Sequence, residues 1–140
     1  MEIIANALQT VAANQNVYFT DTVIGGCNPS ITHRDDSGLV NLRGITNQCR
    51  ARFRISFGGN IAVPTGETVG PISLALAIDG EAVLATTMIV TPAAVEEFFN
   101  VSSTIFVDVP KGCCTTISVQ NTSTIPVNVQ NANLIVERVA

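Results

Sequence analysis

The sequence predicts an all-β protein, a jelly-roll β-sandwich, on three observations. Apolar residues recur with a period of two along several stretches, Gly, Pro, Asn and Asp punctuate those stretches at short intervals, and helical periodicity is nearly absent. At 140 residues the chain has the length of one domain, 1–140, enough to bury roughly two thirds of its unfolded surface around one core.

The elements follow in order. An N-terminal strand ends in Asn16-Val17-Tyr18-Phe19, Gly25-Gly26 opens a loop, and Asp35-Asp36-Ser37-Gly38 is a turn after Ile31-Thr32-His33-Arg34. From Cys49 to Phe57, Ala51, Phe53, Ile55 and Phe57 share one face and Arg50, Arg52, Arg54 and Ser56 the other, the clearest strand in the chain. Gly58-Gly59-Asn60 and Pro64-Thr65-Gly66 read as punctuation after it. Asp79-Gly80 is the signal of a tight hairpin, with Ile72, Leu74, Leu76 and Ile78 as a core face and Ser73, Ala75 and Ala77 behind it, small enough for another surface to approach. Its partner strand, Val83 to Val90, is apolar on both faces, as is the closing Leu134-Ile135-Val136. Strands without a polar face are buried on both sides, so a neighbouring subunit is expected against them. Ala93 to Phe99 reads either as one helical turn behind Pro92 or as a loop. Ile105, Val107 and Val109 lead through Pro110-Lys111-Gly112 to Ile117 and Val119, two strands across a turn. Pro126 confines Ile125 to Val129 to an edge or a strand start.

Charged residues make up 13% of the chain, hydrophobic ones 46%, and Lys111 is the single lysine. Soluble domains average about 25% charged residues, so this sparse surface favours self-association. A net charge of -4 without acidic or basic blocks argues against nucleic acid or an anionic membrane as partner. Met1-Glu2 is followed by no basic and apolar leader, so no signal peptide is expected, and no apolar run is long enough for a membrane span. The N-x-S/T triplets at Asn100 and Asn121 are no more than chance supplies in a chain this rich in Asn, Ser and Thr.

Residues that could carry chemistry are few. Cys27, Cys49, Cys113 and Cys114 lack the C-x-x-C spacing of a zinc site, and the adjacent pair should point to opposite faces of an extended strand. Buried free thiols are the leading expectation, with a disulfide as the alternative. His33 has Asp35, Asp36 and Ser37 as near neighbours, but a triad needs groups that converge from separate elements. Asp35 and Asp36 lack the alternating acids of a calcium loop, and Glu96-Glu97 has no partner carboxylate. No catalytic residue, metal or cofactor is expected. The Arg50, Arg52, Arg54 stripe demands opposing charge, and three readings stay open: a solvated face, acids supplied by a neighbouring subunit, or a bound anion.

The order of these segments resembles the tumour-necrosis-factor and complement globular-head superfamily of jelly rolls. The segments concerned are Asn16 to Phe19, Ile31 to Arg34, Ser37 to Gly44, the Arg strand, the Asp79-Gly80 hairpin and Asn133 to Arg138. More narrowly, His33-Arg-Asp-Asp-Ser-Gly-Leu-Val and Pro110-Lys-Gly-Cys-Cys are similar to segments of short jelly-roll proteins of phages and prophages of gut Firmicutes. The resemblance implies a homotrimer with one sheet facing the three-fold axis, and a virion structural protein without enzymatic activity. A bacteriophage capsid decoration protein is the leading expectation. A host-recognition or carbohydrate-binding adhesin, or a bacterial surface or spore-coat trimer, is the alternative. The expected subunit interface is Tyr18, Arg50, Arg52, Arg54, Leu84, Met88, Leu134 and Val136. The loops expected to meet a capsid or other partner hold Asn28, Asp35, Asp36, Asn121 and Ser123.

Overall fold

A computed structural model describes residues 1–26 and 29–140, so Cys27 and Asn28 lie outside the described residues. In chain order the strands are β1 (Glu2–Ala5), β2 (Gln9–Val11), β3 (Asp21–Ile24), β4 (Ile31–His33), β5 (Val40–Arg43) and β6 (Arg50–Ala62), then β7 (Ile72–Ile78) and β8 (Glu81–Ala82). After the 3₁₀ turn Leu84–Thr86 come β9 (Met88–Val90), β10 (Phe99–Pro110), β11 (Cys114–Asn121) and β12 (Val127–Arg138). They form two antiparallel sheets. The first runs β10-β6-β12-β1-β3, with β2 on the far end of β12; the second runs β4-β5-β11-β7-β8, with β9 on the far end of β7. This is the jelly-roll sandwich that the alternation and the turn signals predict.

The core lies between the sheets. Phe53, Ile55 and Phe57 of β6 and Leu134 and Val136 of β12 meet Leu42, Leu74, Leu76, Ile117 and Val119 of the second sheet, all essentially inaccessible to solvent. The alternation in β6 is therefore the physical cause of its position: one face apolar, the other bearing Arg. The strand continues through Gly58-Gly59-Asn60 rather than ending there, because β10 and β12 both pair with it along that length. Pro126 stands directly before β12, where its missing N–H costs no ladder bond.

Asp79 and Gly80 both have positive φ, 52° and 84°, as the tight turn between β7 and β8 requires. The Asp79 carboxylate accepts the Thr116 N–H at 2.9 Å, which fixes the turn to β11. Beyond β8 the expected apolar partner strand is interrupted. Residues Leu84–Thr86 bulge away as a 3₁₀ turn, and Thr86 Oγ1 accepts the Leu76 N–H at 2.9 Å while donating to Val83 O at 2.7 Å. A buried hydroxyl thus takes the place of a strand neighbour on the edge of β7. Ala75 and Ala77 are fully buried within the chain, so the small face behind the hairpin offers no approach to a second surface. Between β9 and β10 the chain is a loop, not a helical turn, and Glu96 within it has φ 58°.

Candidate interaction face

The outward face of the first sheet is built from the residues that alternate with the core. Opposite residues of an antiparallel pair share a face, and the register therefore defines rows across the sheet. One row is Thr104, Ser56, Ile135, Glu2 and Ile24; the next is Phe106, Arg54 and Glu137. Phe106 is 63% exposed, Ile24 60% and Ile135 40%. Polar contacts fill the space between them: Ser56 Oγ and Thr104 Oγ1 lie 2.8 Å apart, and Asn100 Nδ2 donates to Asn60 Oδ1 at 3.1 Å.

The arginine stripe lies on this face, and its acids come from the chain itself. Arg52 Nε and Nη2 donate to the two oxygens of Asp108 at 2.7 and 3.0 Å, and Arg50 Nε lies 3.2 Å from Asp108 Oδ2. Arg54 pairs with Glu137. Asp108 stands opposite Arg52 on β10, and Glu137 opposite Arg54 on β12. The hydrogen bond from Arg52, then the charges of Arg52 and Arg50, hold the Asp108 carboxyl below its ordinary range. A neighbouring subunit is therefore not needed to neutralise the stripe. With Glu2 and Asp21, which stands opposite Ile4, also on the face, three arginines and four carboxylates leave it only weakly negative.

Several residues expected at an interface lie elsewhere. Leu134 and Val136 point into the core and are fully buried, while Ile135 between them points out. The assignment is out of phase by one residue, and in a strand that exchanges every side chain between core and surface. Met88 is also buried, because β9 pairs with the inner strand β7 and turns that side chain inward. Leu84, 82% exposed on the 3₁₀ turn, and the exposed Tyr18 stay accessible. Among the loop residues, Asp35 and Asp36 are exposed. Asn121 and Ser123 are buried: each uses its side chain to bind backbone groups, Asn121 those of Val11, Ile125 and Ser123, and Ser123 those of Ser73. The sequence reading missed Phe106 and Ile24. A phenylalanine at the polar phase of β10, between Ile105 and Val107, was a visible signal for the first.

His33 has a structural task. Its Nε2 is 2.9 Å from the Ser37 carbonyl oxygen, so that nitrogen is the donor, and its ring meets Phe19 edge to face. The Ser37 hydroxyl oxygen accepts the Leu39 N–H and is not paired with the imidazole. Among the described residues, no group of three or more His, Cys, Asp and Glu side chains is arranged to hold a metal. Cys49, Cys113 and Cys114 are free thiols, and all three are exposed rather than buried, because they lie in or beside the loops at the ends of β6 and β11. No helix among the described residues is long and apolar enough to cross a membrane.

No known protein family and no curated protein matches this sequence. Among solved structures, the globular domain of zebrafish complement 1qA protein superposes with a TM-score of 0.70 at 12% identity, covering 99% of this chain and 95% of that one. Rabbit GITRL (TM-score 0.39, 13% identity, 78% of each chain) and the CBM35 of Cellvibrio japonicus Abf62 (0.39, 12%, 100% and 98%) overlap far more loosely and add nothing to the argument. The zebrafish match bears on the fold alone: the two-sheet jelly roll described above has the fold of a complement globular head.

Proposed function

We propose that this chain is a non-enzymatic structural protein that assembles with copies of itself through the outward face of the first sheet. The observation that carries this reading is the combination on that face of exposed Phe106, Ile135 and Ile24 with arginines already neutralised by Asp108 and Glu137. Burying exposed apolar area drives association, and a face whose arginines are paired within the chain carries too little net charge to repel its copy strongly. A homotrimer fits such a surface, since a heterologous contact repeated about a three-fold axis closes into a ring. The resemblance of the His33 and Pro110 segments to phage jelly rolls supports a place in a phage particle, as a capsid decoration protein made in the bacterial cytoplasm. Its three protomers would then bind a repeating lattice through several weak contacts at once. The glycan-binding alternative has less to stand on, with one tyrosine and no tryptophan for a stacking platform.

Sedimentation of the purified chain tests the assembly. The native chain should run as a trimer, and Phe106→Asp together with Ile135→Asp should yield a folded monomer. A native chain that stays monomeric at micromolar concentration refutes self-association. Electron microscopy of particles with and without the protein tests the location: density lost from the capsid supports decoration, and density lost from the tail refutes it.

A further inference from the structure

A cleft of about 310 Å³ opens at one end of the second sheet, lined by Arg43, Gly44, Ile45, Gly112, Cys113 and Cys114. That volume is at the small end of the range for small-molecule sites, about 300–1,000 Å³. Its walls are fixed by backbone bonds: Gly44 N–H donates to Cys113 O at 2.9 Å, Gly112 N–H to Gly44 O at 3.0 Å, and Arg43 N–H to Ser30 O at 2.8 Å. The adjacent thiol residues border one cleft because Cys113 belongs to a turn. Gly112 has φ 78° there, and Cys113 N–H donates to Pro110 O at 3.0 Å. Cys114 begins β11 directly opposite Arg43 of β5, so the two side chains project from the same face. The lining holds one cation and no carboxylate.

We propose that this cleft is a thiol-modification site at which Cys114 exchanges with a low-molecular-weight disulfide bearing carboxylates, of which oxidised glutathione is the representative. The Cys114 sulfur attacks one sulfur of the disulfide, a Cys114 mixed disulfide forms, and the original S–S bond breaks. The departing thiolate takes up the proton that Cys114 released, so no further oxidant is needed. Arg43 holds a carboxylate of the incoming molecule.

The test uses the reduced full chain with oxidised glutathione or with cystamine, its cationic counterpart. Sites and rates are read by peptide mass mapping, and Cys49, an exposed thiol outside the lining, is the internal reference. Cys114 should be modified by oxidised glutathione ahead of Cys49. Its rate with oxidised glutathione should fall about four-fold in Arg43→Gln, the effect of one unit charge at about 5 Å in water, and its preference over cystamine should fall further because the repulsion of the cation is lost as well. Arg43→Lys, which keeps the charge, should retain the preference. Reaction at Cys49 or Cys113 as fast as at Cys114, or a preference unchanged in Arg43→Gln, overturns the assignment.

Discussion

Asn121→Ala removes a side chain that ties three segments together at one end of the second sheet. Asn121 is fully buried; its Nδ2 donates to Val11 O at 2.9 Å and Ile125 O at 3.0 Å, and its Oδ1 accepts the Ser123 N–H at 2.8 Å. Each such bond contributes about 1 kcal/mol net, so the three together come to about 3 kcal/mol. The loss rises to about 5 kcal/mol if the two carbonyls and the amide stay buried without a substitute. Urea unfolding at fixed protomer concentration measures it, since self-association makes apparent stability depend on concentration. With a denaturant slope of about 2 kcal/mol/M, the midpoint should drop by about 1.5 M with the slope unchanged. Asn121→Asp, which places a carboxylate oxygen against the buried carbonyls of Val11 and Ile125, should lose at least as much as Asn121→Ala at neutral pH. A loss below about 0.5 kcal/mol is what an exposed loop position shows, and it would refute the buried network.

Gly44→Ala should cost about 3 kcal/mol in thermal unfolding, since a Cβ there would stand 2.1 Å from the Pro110 carbonyl oxygen and backbone cannot rotate away. Thr86→Val keeps the shape of the side chain and removes the hydroxyl that substitutes for a strand partner. A loss of about 2 kcal/mol is expected, together with faster hydrogen exchange at the Leu76 amide. Acid should weaken the fold through two aspartates. Asp79 is held below its ordinary range by the Thr116 N–H and then by the Thr115 hydroxyl, and Asp108 by Arg52 and Arg50. A folded pKa below the unfolded one gives stability that is complete above the unfolded value and is lost as pH falls through the folded value. The melting temperature should therefore fall from about pH 4 downward, and the fall should be shallower in Asp79→Asn with Asp108→Asn. An identical slope in the double variant contradicts this account.

The sequence disclosed the fold where local pattern decides it. β6 alternates cleanly, and Asp79-Gly80 can hardly be anything but a tight turn. Where several neighbours are apolar, the pattern loses its phase. Leu134, Ile135 and Val136 are interchangeable by hydrophobicity, and only the pairing of Leu134 with Phe57 and Ile135 with Ser56 sends the middle one outward. The run Val83 to Val90 fails for another reason, since the hydroxyl of Thr86 bonds to backbone ten residues away. The arginine stripe was visible, but its partners are distant in sequence: Asp108 is 56 residues from Arg52. The burial of Asn121 has the same character, because Asn in a turn reads as exposed until the carbonyl of Val11 is brought to it.

β12 is the last strand of this fold and central in its sheet, between β6 and β1. Glu2 pairs with Ile135 and Asn60 with Gln130, so the earliest strand and the longest one both wait for the final segment before that sheet can close. Loops this long must be closed before their contacts reward closure, which places the chain among slow folders, on the scale of milliseconds to seconds. During synthesis, β6 and β10 can pair as a hairpin-like unit, but their apolar inner face stays uncovered on one flank until residues 127–138 leave the ribosome. The first sheet therefore closes only once β12 is free to enter between β6 and β1.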